Sequence, residues 1–557
     1  MSITPYIPKY KVLQIEIHID GVLTELHTYL KKVEIHYELN KIPSAKLRFI
    51  EANPDIGSGK QYLEKVSLEI NKLIEIKISS NEGMKTIFKG MIFRLEKNVY
   101  PEVGFEIKLD CKDTSINLIA ELEQVANENF ETKMNRFLQK VNVTKNGSVD
   151  LETYGEEIVT KNPGTSAWDY IVGYMDSLGF MTNMREGEYN IYNSIEPEKT
   201  IKYVAKNGTN VFEFEAKEEE IVGNVELRYW NPKDQRTITV TSPTEATNTS
   251  GTEVLEMGTI SYKKETIEQM AKARAAKHSL VSIKGKLKTY GNISTKCGEY
   301  LQTEKVNSKI DGKPLLISVE HHIIENGCWD TSYNFGLENN NSFAENISSS
   351  STNTAQRIGQ TNNVNGLQIG VVTQIVDDPE NEFRIKVRIP STLPENDEGV
   401  WARLSSIQAG NERGGFFIPE IDDEVIIGCF NNNPDTPVIL GKLYSSANPP
   451  PLPITEDNYV QGFVSKENTK ILINDEDKSV EISTDNGNKL LISDNEKGFV
   501  LEDENGNKLI MNQNGITLES ASDINLKASG NITIEGIQNT IKASGVMEIS
   551  GSLIQLN

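Results

Sequence analysis

Apolar residues recur along this chain at two spacings, and the spacing changes with position. Over residues 10–110 they alternate with polar ones in the short runs KVLQIEIHID, KVEIHYEL, AKLRFIE, IEIKIS, TIFKGMIFRLE and GFEIKLDCK. Alternation puts every second side chain on one face of a strand. With NP, SG and EG turn pairs between the runs, it predicts an antiparallel sheet or small barrel. Helical spacing replaces it from about Thr114 to Val141. It returns from Ser166, where Asp169 completes a capping-box-like start and Trp168, Ile171, Val172, Met175 and Leu178 recur before Gly179. GFMTNMREGEYNIYN reads as a hairpin, VGNVELRYWNP and RTITVTS as strands, and Thr241–Thr252 as a loop. A second helix, TIEQMAKARAAKH, is expected to be capped by Thr266 with Gln269. Strands return in LLISVEHHII and TSYNFGL. Residues 346–365 are dominated by Asn, Ser and Thr, too polar to sustain a core, and read as a linker.

The next unit, Gly366 to Tyr444, reads as five or six strands: LQIGVVTQIV, FRIKVRI, GVWARLS, GGFFIP, DEVIIGCF and PVILGKLY. Turns at DDPEN and NNNPDT separate them. About 80 residues of this pattern suit a closed barrel of the oligonucleotide/oligosaccharide-binding (OB) type. The prolines of Asn448-Pro449-Pro450-Pro451-Leu452-Pro453 then predict a stiff, extended spacer over 448–468.

From Thr469 the pattern becomes a ladder of apolar doublets. Ile471/Ile473, Val480/Ile482, Leu490/Ile492, Phe499/Leu501 and Leu509/Met511 follow one another nine or ten residues apart, and DNGNKLLI and ENGNKLIM repeat at 19. Ile516/Leu518, Ile524/Leu526 and Ile532/Ile534 then repeat every eight residues, with Ser, Asn, Asp, Lys and Gly between them. The register slips near Gly536–Asn539 before Ile541 and Ile549. Each doublet offers two side chains to one face, and nothing in a single copy is available to cover that face. Closed symmetric assembly of identical chains would cover it. Residues 469–557 are therefore expected to form one chain of a trimeric, triple-stranded β-helix, with Ile516, Leu518, Ile524, Leu526, Ile532, Ile534, Ile541 and Ile549 in the shared core. The Asn-Gly turns at 486, 505 and 514 equally suit hairpins within one chain. The fold class expected is mainly β: two barrel-like subdomains with a few helices, an OB barrel and the β-helix.

Composition narrows the function. The chain has 557 residues and a formal charge of −23. This length calls for several domains, and the charge disfavours nucleic acid, which needs a basic surface. Four cysteines lie scattered without CxxC or zinc spacing, so no metal or cofactor is expected from them. The N-terminus lacks the apolar core of a signal peptide, so synthesis in the cytoplasm is expected, with release through a dedicated machine.

The residues GVVTQIVDDPENEFRIKVRIP, Trp401-Ala402-Arg403, Arg413-Gly414-Gly415-Phe416, Pro419-Glu420-Ile421-Asp422-Asp423-Glu424-Val425 and Pro437-Val438-Ile439-Leu440-Gly441 resemble the barrel domain of contractile-injection spike proteins. These are the VgrG proteins of type VI secretion and their relatives in contractile phage tails and extracellular injection systems. Within that match Trp401, Arg403, Gly414, Pro419, Glu420, Asp423, Val425 and Gly441 are the motif positions. Residues 1–345 resemble the family's hub more loosely, through FKGMI, SAWDYI, NVELRYWNP and VEHHI. The resemblance implies a homotrimeric hub (1–345), an OB domain (366–447) and a needle (469–557). Implied partners are an inner tube protein, baseplate proteins, a PAAR-type tip protein and effectors, with transient contact to a target membrane. Leu553, Ile554 and Leu556 are the expected tip contact, since three apolar ends would leave a blunt face.

Enzymatic versions of the family carry a lysozyme domain between barrel and needle, or an effector after the needle. Here only about 25 residues intervene, too few for a glycosidase, and the chain runs to Asn557 with its repeats, so no catalytic residues are expected. The acidic groups Asp377/Asp378 and Asp422/Asp423/Glu424 fall at turns. His321-His322 point to opposite faces of a strand and cannot share a metal. The competing readings are a trimeric tail fibre or adhesin, and a cell-wall hydrolase on a trimeric stalk.

Overall fold

The computed structural model of the protein describes residues 13–555 apart from 53–61, 81–82, 101–103, 124–127, 147–150, 152–153, 162–163, 196–199, 205–210, 247, 260–261, 305–313, 326, 344–363 and 365. The chain divides into two compact units, Met1–Leu443 and Tyr444–Asn557. Nearly all of the expected linker 346–365 lies outside the described residues.

The first unit is built on an eleven-stranded sheet whose centre joins the two ends of the N-terminal half. Leu30–Glu38 pairs antiparallel with Ser44–Ala52 on one side and with Leu316–Ile324 on the other. Alternation decides which side chains enter the core: Val33, Ile35 and Tyr37 are buried, as are Leu47 and Phe49 on the next strand. The intervening residues face outward and pair across strands. His36 contacts Glu320 at 3.1 Å and Glu38 at 2.8 Å, and hydrogen bonding to these two carboxylates lifts its pKa to about 9.

A second core gathers around three helices, Phe130–Lys140, Ala167–Ser177 and Lys264–Val281. The middle helix starts as the sequence predicts, the Asp169 amide donating to Ser166 Oγ at 3.0 Å. The third starts earlier than expected, with Lys263 as its first flanking residue. Thr266 does not cap it; its hydroxyl donates to the Glu157 carboxylate at 2.6 Å, a tertiary partner that adjacent sequence could not reveal. His321 is buried and contacts Thr331 Oγ1 at 3.1 Å, while His322 lies on the opposite side near Glu34 and Glu320. Burial pushes the His321 pKa down to about 3.

Five strands close a barrel in the order Gln368–Gln374, Ile385–Arg388, Val400–Leu404, Pro437–Lys442, Glu424–Cys429. Its interior is Val372, Ile385, Val387, Ala402, Val425, Ile427 and Ile439. The stretch GGFFIP, read as a strand, is not one. Only Arg413–Gly414 pairs, with Ala409–Gly410, and Phe416 and Phe417 stay exposed. Two glycines and a proline oppose strand formation there.

The second unit contains a seven-stranded antiparallel meander: Val460–Val464, Lys470–Asn474, Ser479–Ser483, Lys489–Ser493, Gly498–Glu502, Lys508–Asn512 and Gly515–Glu519. The first of these falls inside the residues read as a spacer, where Gln461 sits opposite Ile473. Over 460–519 one chain thus forms hairpins, the alternative left open by its Asn-Gly turns, and the triple-stranded β-helix is not a feature of a single copy. Residues 520–555 form no strand within this chain.

Candidate functional site

The site is a surface, set by the register of the meander. Ile471 lies opposite Ile482 and Ile473 opposite Val480; Val480 then faces Ile492, and Ile482 faces Leu490. Leu490 faces Leu501, Ile492 faces Phe499, and Leu501 and Phe499 face Leu509 and Met511. The last strand adds Ile516 opposite Met511 and Leu518 opposite Leu509. Every doublet from Ile471/Ile473 to Ile516/Leu518 therefore falls on one face, in direct cross-strand contact, worth about 0.2–1 kcal/mol per pair.

The turns fix this register. Asp485-Asn486-Gly487-Asn488 and Glu504-Asn505-Gly506-Asn507 form the same loop twice. The Gly487 amide donates to Thr484 O at 3.1 Å and the Gly506 amide to Asp503 O at 3.1 Å, which is why the sequence repeats at 19. Gly487 sits at φ 95°, a conformation that favours glycine. The other face is partly polar and carries ion pairs Lys489–Glu481 at 2.8 Å and Lys508–Glu502 at 2.7 Å.

The apolar face stays uncovered. Ile471, Ile473, Ile482, Ile492, Phe499, Leu501 and Met511 are all exposed. From the last strand of the meander onward the exposure increases: Ile516 is 73 % exposed, Leu526 68 % and Ile541 72 %, and Ile524, Ile532, Ile534 and Ile549 are exposed as well. Leu553 and Ile554 are exposed near the end, while Leu556 lies outside the described residues. At roughly 25 cal/mol per Å² an apolar stripe this long is a strong incentive for association.

The barrel motif residues are held for structural reasons. Val425 is fully buried in the interior. Trp401 sits opposite Lys386, whose ammonium lies 5.8 Å from the indole centre, and Arg403 sits opposite Val438 on the adjoining strand. A Cβ on Gly414 would come within 2.3 Å of Gln408 O, so only glycine fits. Pro419 is buried. Asp423 accepts from the Glu420 amide at 2.8 Å and pairs with Lys442 at 2.8 Å, and Gly441 pairs with Ile426. The tempting carboxylates are committed too. Burial opposes ionisation of Asp378, but the Arg384 guanidinium at 2.6 Å, with the Arg384 and Glu380 amides, holds its pKa down at about 2. Asp377 and Asp422 both sit at positive φ, Asp422 within a turn. Among the described residues no group of three His, Cys, Asp or Glu side chains is placed to hold a metal, and no helix is long and apolar enough to cross a membrane.

One group of residues had no sequence signal. Asp435, in the turn read only as a strand connector, reaches Thr160 and Tyr262 of the helical core.

Comparison with known proteins places this surface. A family model described as the type VI secretion system/phage-baseplate injector OB domain matches residues 368–444, the closed barrel. Another, described as the phage baseplate V C-terminal trimerisation domain, matches 479–546, the ladder. A third, the Alg8 N-terminal domain, matches 9–325, more than half of the chain. The chain belongs to the VgrG-type spike proteins, with an Alg8-family N-terminal half. Curated relatives include the actin cross-linking toxin VgrG1 of Vibrio cholerae, 36% identical over 76 residues, which are 13% of this chain and 7% of that protein. The type VI secretion system spike protein VgrG3 of the same species is 32% identical over 75 residues, again 13% and 7%. The chain thus spans a small part of the length of these relatives. Among solved structures, the Francisella PdpA–VgrG complex in its half-lidded form matches with a TM-score of 0.53 at 11% identity, over 91% of this chain and 88% of that one. The lidless PdpA–VgrG complex gives 0.51 at 12% identity, over 92% and 99%. At such identities these VgrG-type likenesses establish the fold alone.

Proposed function

We propose that this VgrG-type spike protein works as a homotrimer that joins the inner tube of a contractile injection system to a puncturing needle, and that it does so without catalysis. The observation that carries the reading is the uncovered ladder from Ile471 to Ile549 on a chain that can bury it nowhere among its described residues. Three copies about one axis would turn that stripe inward, with Ile516, Leu518, Ile524, Leu526, Ile532, Ile534, Ile541 and Ile549 as the core. The match of residues 479–546 to the phage baseplate V C-terminal trimerisation domain supports the same arrangement.

The mechanics follow from that packing. Bending a shaft whose chains share one core breaks cross-strand hydrogen bonds and apolar contacts in all of them together, so the shaft resists compression. In this reading residues 1–345 are the hub that meets the tube and baseplate, 366–447 the OB domain, 448–468 the spacer and 469–557 the needle. Contraction of a sheath drives tube and spike out of the producing cell, and the needle meets the target membrane only in passing. The exposed Leu553 and Ile554, with Leu556, form the seat for a PAAR-type tip protein, and effectors travel with the assembly. No nucleic acid or cofactor takes part.

Electron microscopy of the purified full chain tests this reading: particles should show a rod projecting from a broader head. Rodless globules would contradict it. Deleting residues 553–557 should abolish capture of a PAAR-type protein while the rod persists; capture by the shortened chain would place the cap elsewhere.

A further inference from the structure

One turn of the barrel meets the helical core of the same unit. The short 3-10 turn Phe430–Asn432 lies against the strand Thr252–Thr259. The next four residues form a tip tied by internal hydrogen bonds. The Asp435 amide donates to Asn433 Oδ1 at 2.8 Å, the Thr436 amide to Asn433 O at 3.1 Å, and the Thr436 hydroxyl bonds Phe430 O at 3.2 Å. Pro434, Thr436 and Pro437 are buried. From this tip the Asp435 carboxylate accepts from the Thr160 amide at 2.9 Å and from the Tyr262 hydroxyl at 3.3 Å. A single side chain of the barrel thus bridges two separate segments of the core.

The socket is fixed by contacts that do not involve the barrel. Lys133 is buried and donates to Val159 O at 2.9 Å, and the Tyr170 hydroxyl donates to the same oxygen at 2.9 Å. Glu157 is held by the Lys263 amide at 2.9 Å and the Thr266 hydroxyl at 2.6 Å. Segments 157–160 and 262–266 are therefore already positioned where Asp435 arrives. Asp435 keeps some surface as a residue, yet its carboxyl is enclosed deeply enough that burial pushes its pKa up, against hydrogen bonding from Thr160 and the charge of Lys133. Burial likewise pushes Lys133 down to about 8. The junction rests on the two hydrogen bonds that the Asp435 carboxylate accepts, from the Thr160 amide and the Tyr262 hydroxyl.

We propose that Asp435 is a positioning residue: it keys the barrel to the helical core of the first unit and fixes the barrel's orientation there. Only its purpose, passing thrust through the barrel without pivoting, rests on the spike reading. The keying stands or falls separately from the number of copies.

The test compares full-length wild type, Asp435→Ala and Asp435→Asn by amide hydrogen exchange. Asp435→Ala should speed exchange at Thr160 by roughly 10-fold or more, the scale of a lost buried hydrogen bond, while Glu424–Cys429 in the barrel wall stays protected. Asp435→Asn retains a carbonyl oxygen for the Thr160 amide and should stay within about threefold of wild type. Dye labels at exposed positions 272 and 383 give a readout that stability alone would not move. Their distance distribution should broaden in Asp435→Ala and remain narrow in Asp435→Asn. Unchanged Thr160 exchange, or an unbroadened distribution in Asp435→Ala, overturns the proposal. If Asp435→Ala unfolds the barrel itself, Asp435→Asn decides: native exchange and distance support the key, and Ala-like behaviour overturns it.

Discussion

Residues 460–519 and 520–555 carry the same apolar doublets, yet they differ in how the backbone is treated. In the first stretch short loops, three of them built on Asn-Gly, reverse the chain between strands, and each strand pairs with the next within one copy. In the second, eight-residue spacing and Ala-Ser-Gly connections leave no strand pairing within the chain. The glycines tell the same story. A Cβ on Gly498 would lie 1.8 Å from Met511 O, so this chain itself requires glycine, whereas around Gly530 and Gly545 nothing lies within 4 Å. In the proposed trimer the meander uses other copies to cover its side chains alone, and the tail uses them for its side chains and its backbone.

That difference ranks the expected effects of substitution. Leu501→Asp should act most strongly. It sets a carboxylate between Leu490 and Leu509 in every copy, and burying unpaired like charges costs several kcal/mol each. Sedimentation should show dissociation into single chains at micromolar concentration; an intact assembly would mean that the ladder face is not the interface.

Ile524→Asp should be milder, because the meander remains to hold the copies together. Hydrogen exchange should show loss of protection over 520–555 with protection of 470–519 retained. Equal loss in both stretches would erase the distinction drawn between them.

Gly487→Val should cost about 1–2 kcal/mol, since a β-branched residue is strained at φ 95°. Calorimetry should register a drop of a few degrees in the needle transition, and an unchanged melting temperature would show that the hairpin loop is not formed. Lys489→Met should change stability least, by under about 1 kcal/mol, because its pair with Glu481 is partly exposed. A larger loss would indicate that this face, too, is covered in the assembly.

Much of this was legible in the sequence for local reasons. Period-two alternation located the strands, and the 19-residue repeat encoded a loop that recurs with the same hydrogen bonds. The apolar doublets marked a face whose register the meander then aligned strand by strand. What stayed hidden was non-local. Pairing of Leu30–Glu38 with Leu316–Ile324 brings together residues 284 positions apart, such as His36 and Glu320. The role of Thr266 depends on Glu157, and that of Asp435 on Thr160 and Tyr262, partners no spacing rule connects. Phe416 and Phe417 looked like strand residues by type, and only the flanking glycines and Pro419 argued otherwise.

Sedimentation equilibrium of the purified full chain probes the central claim most directly, because the apolar ladder has to be buried by something. A particle of three times the 62.2 kDa chain mass, stable to dilution, is the predicted result. A homogeneous 62.2 kDa species at micromolar concentration would contradict it.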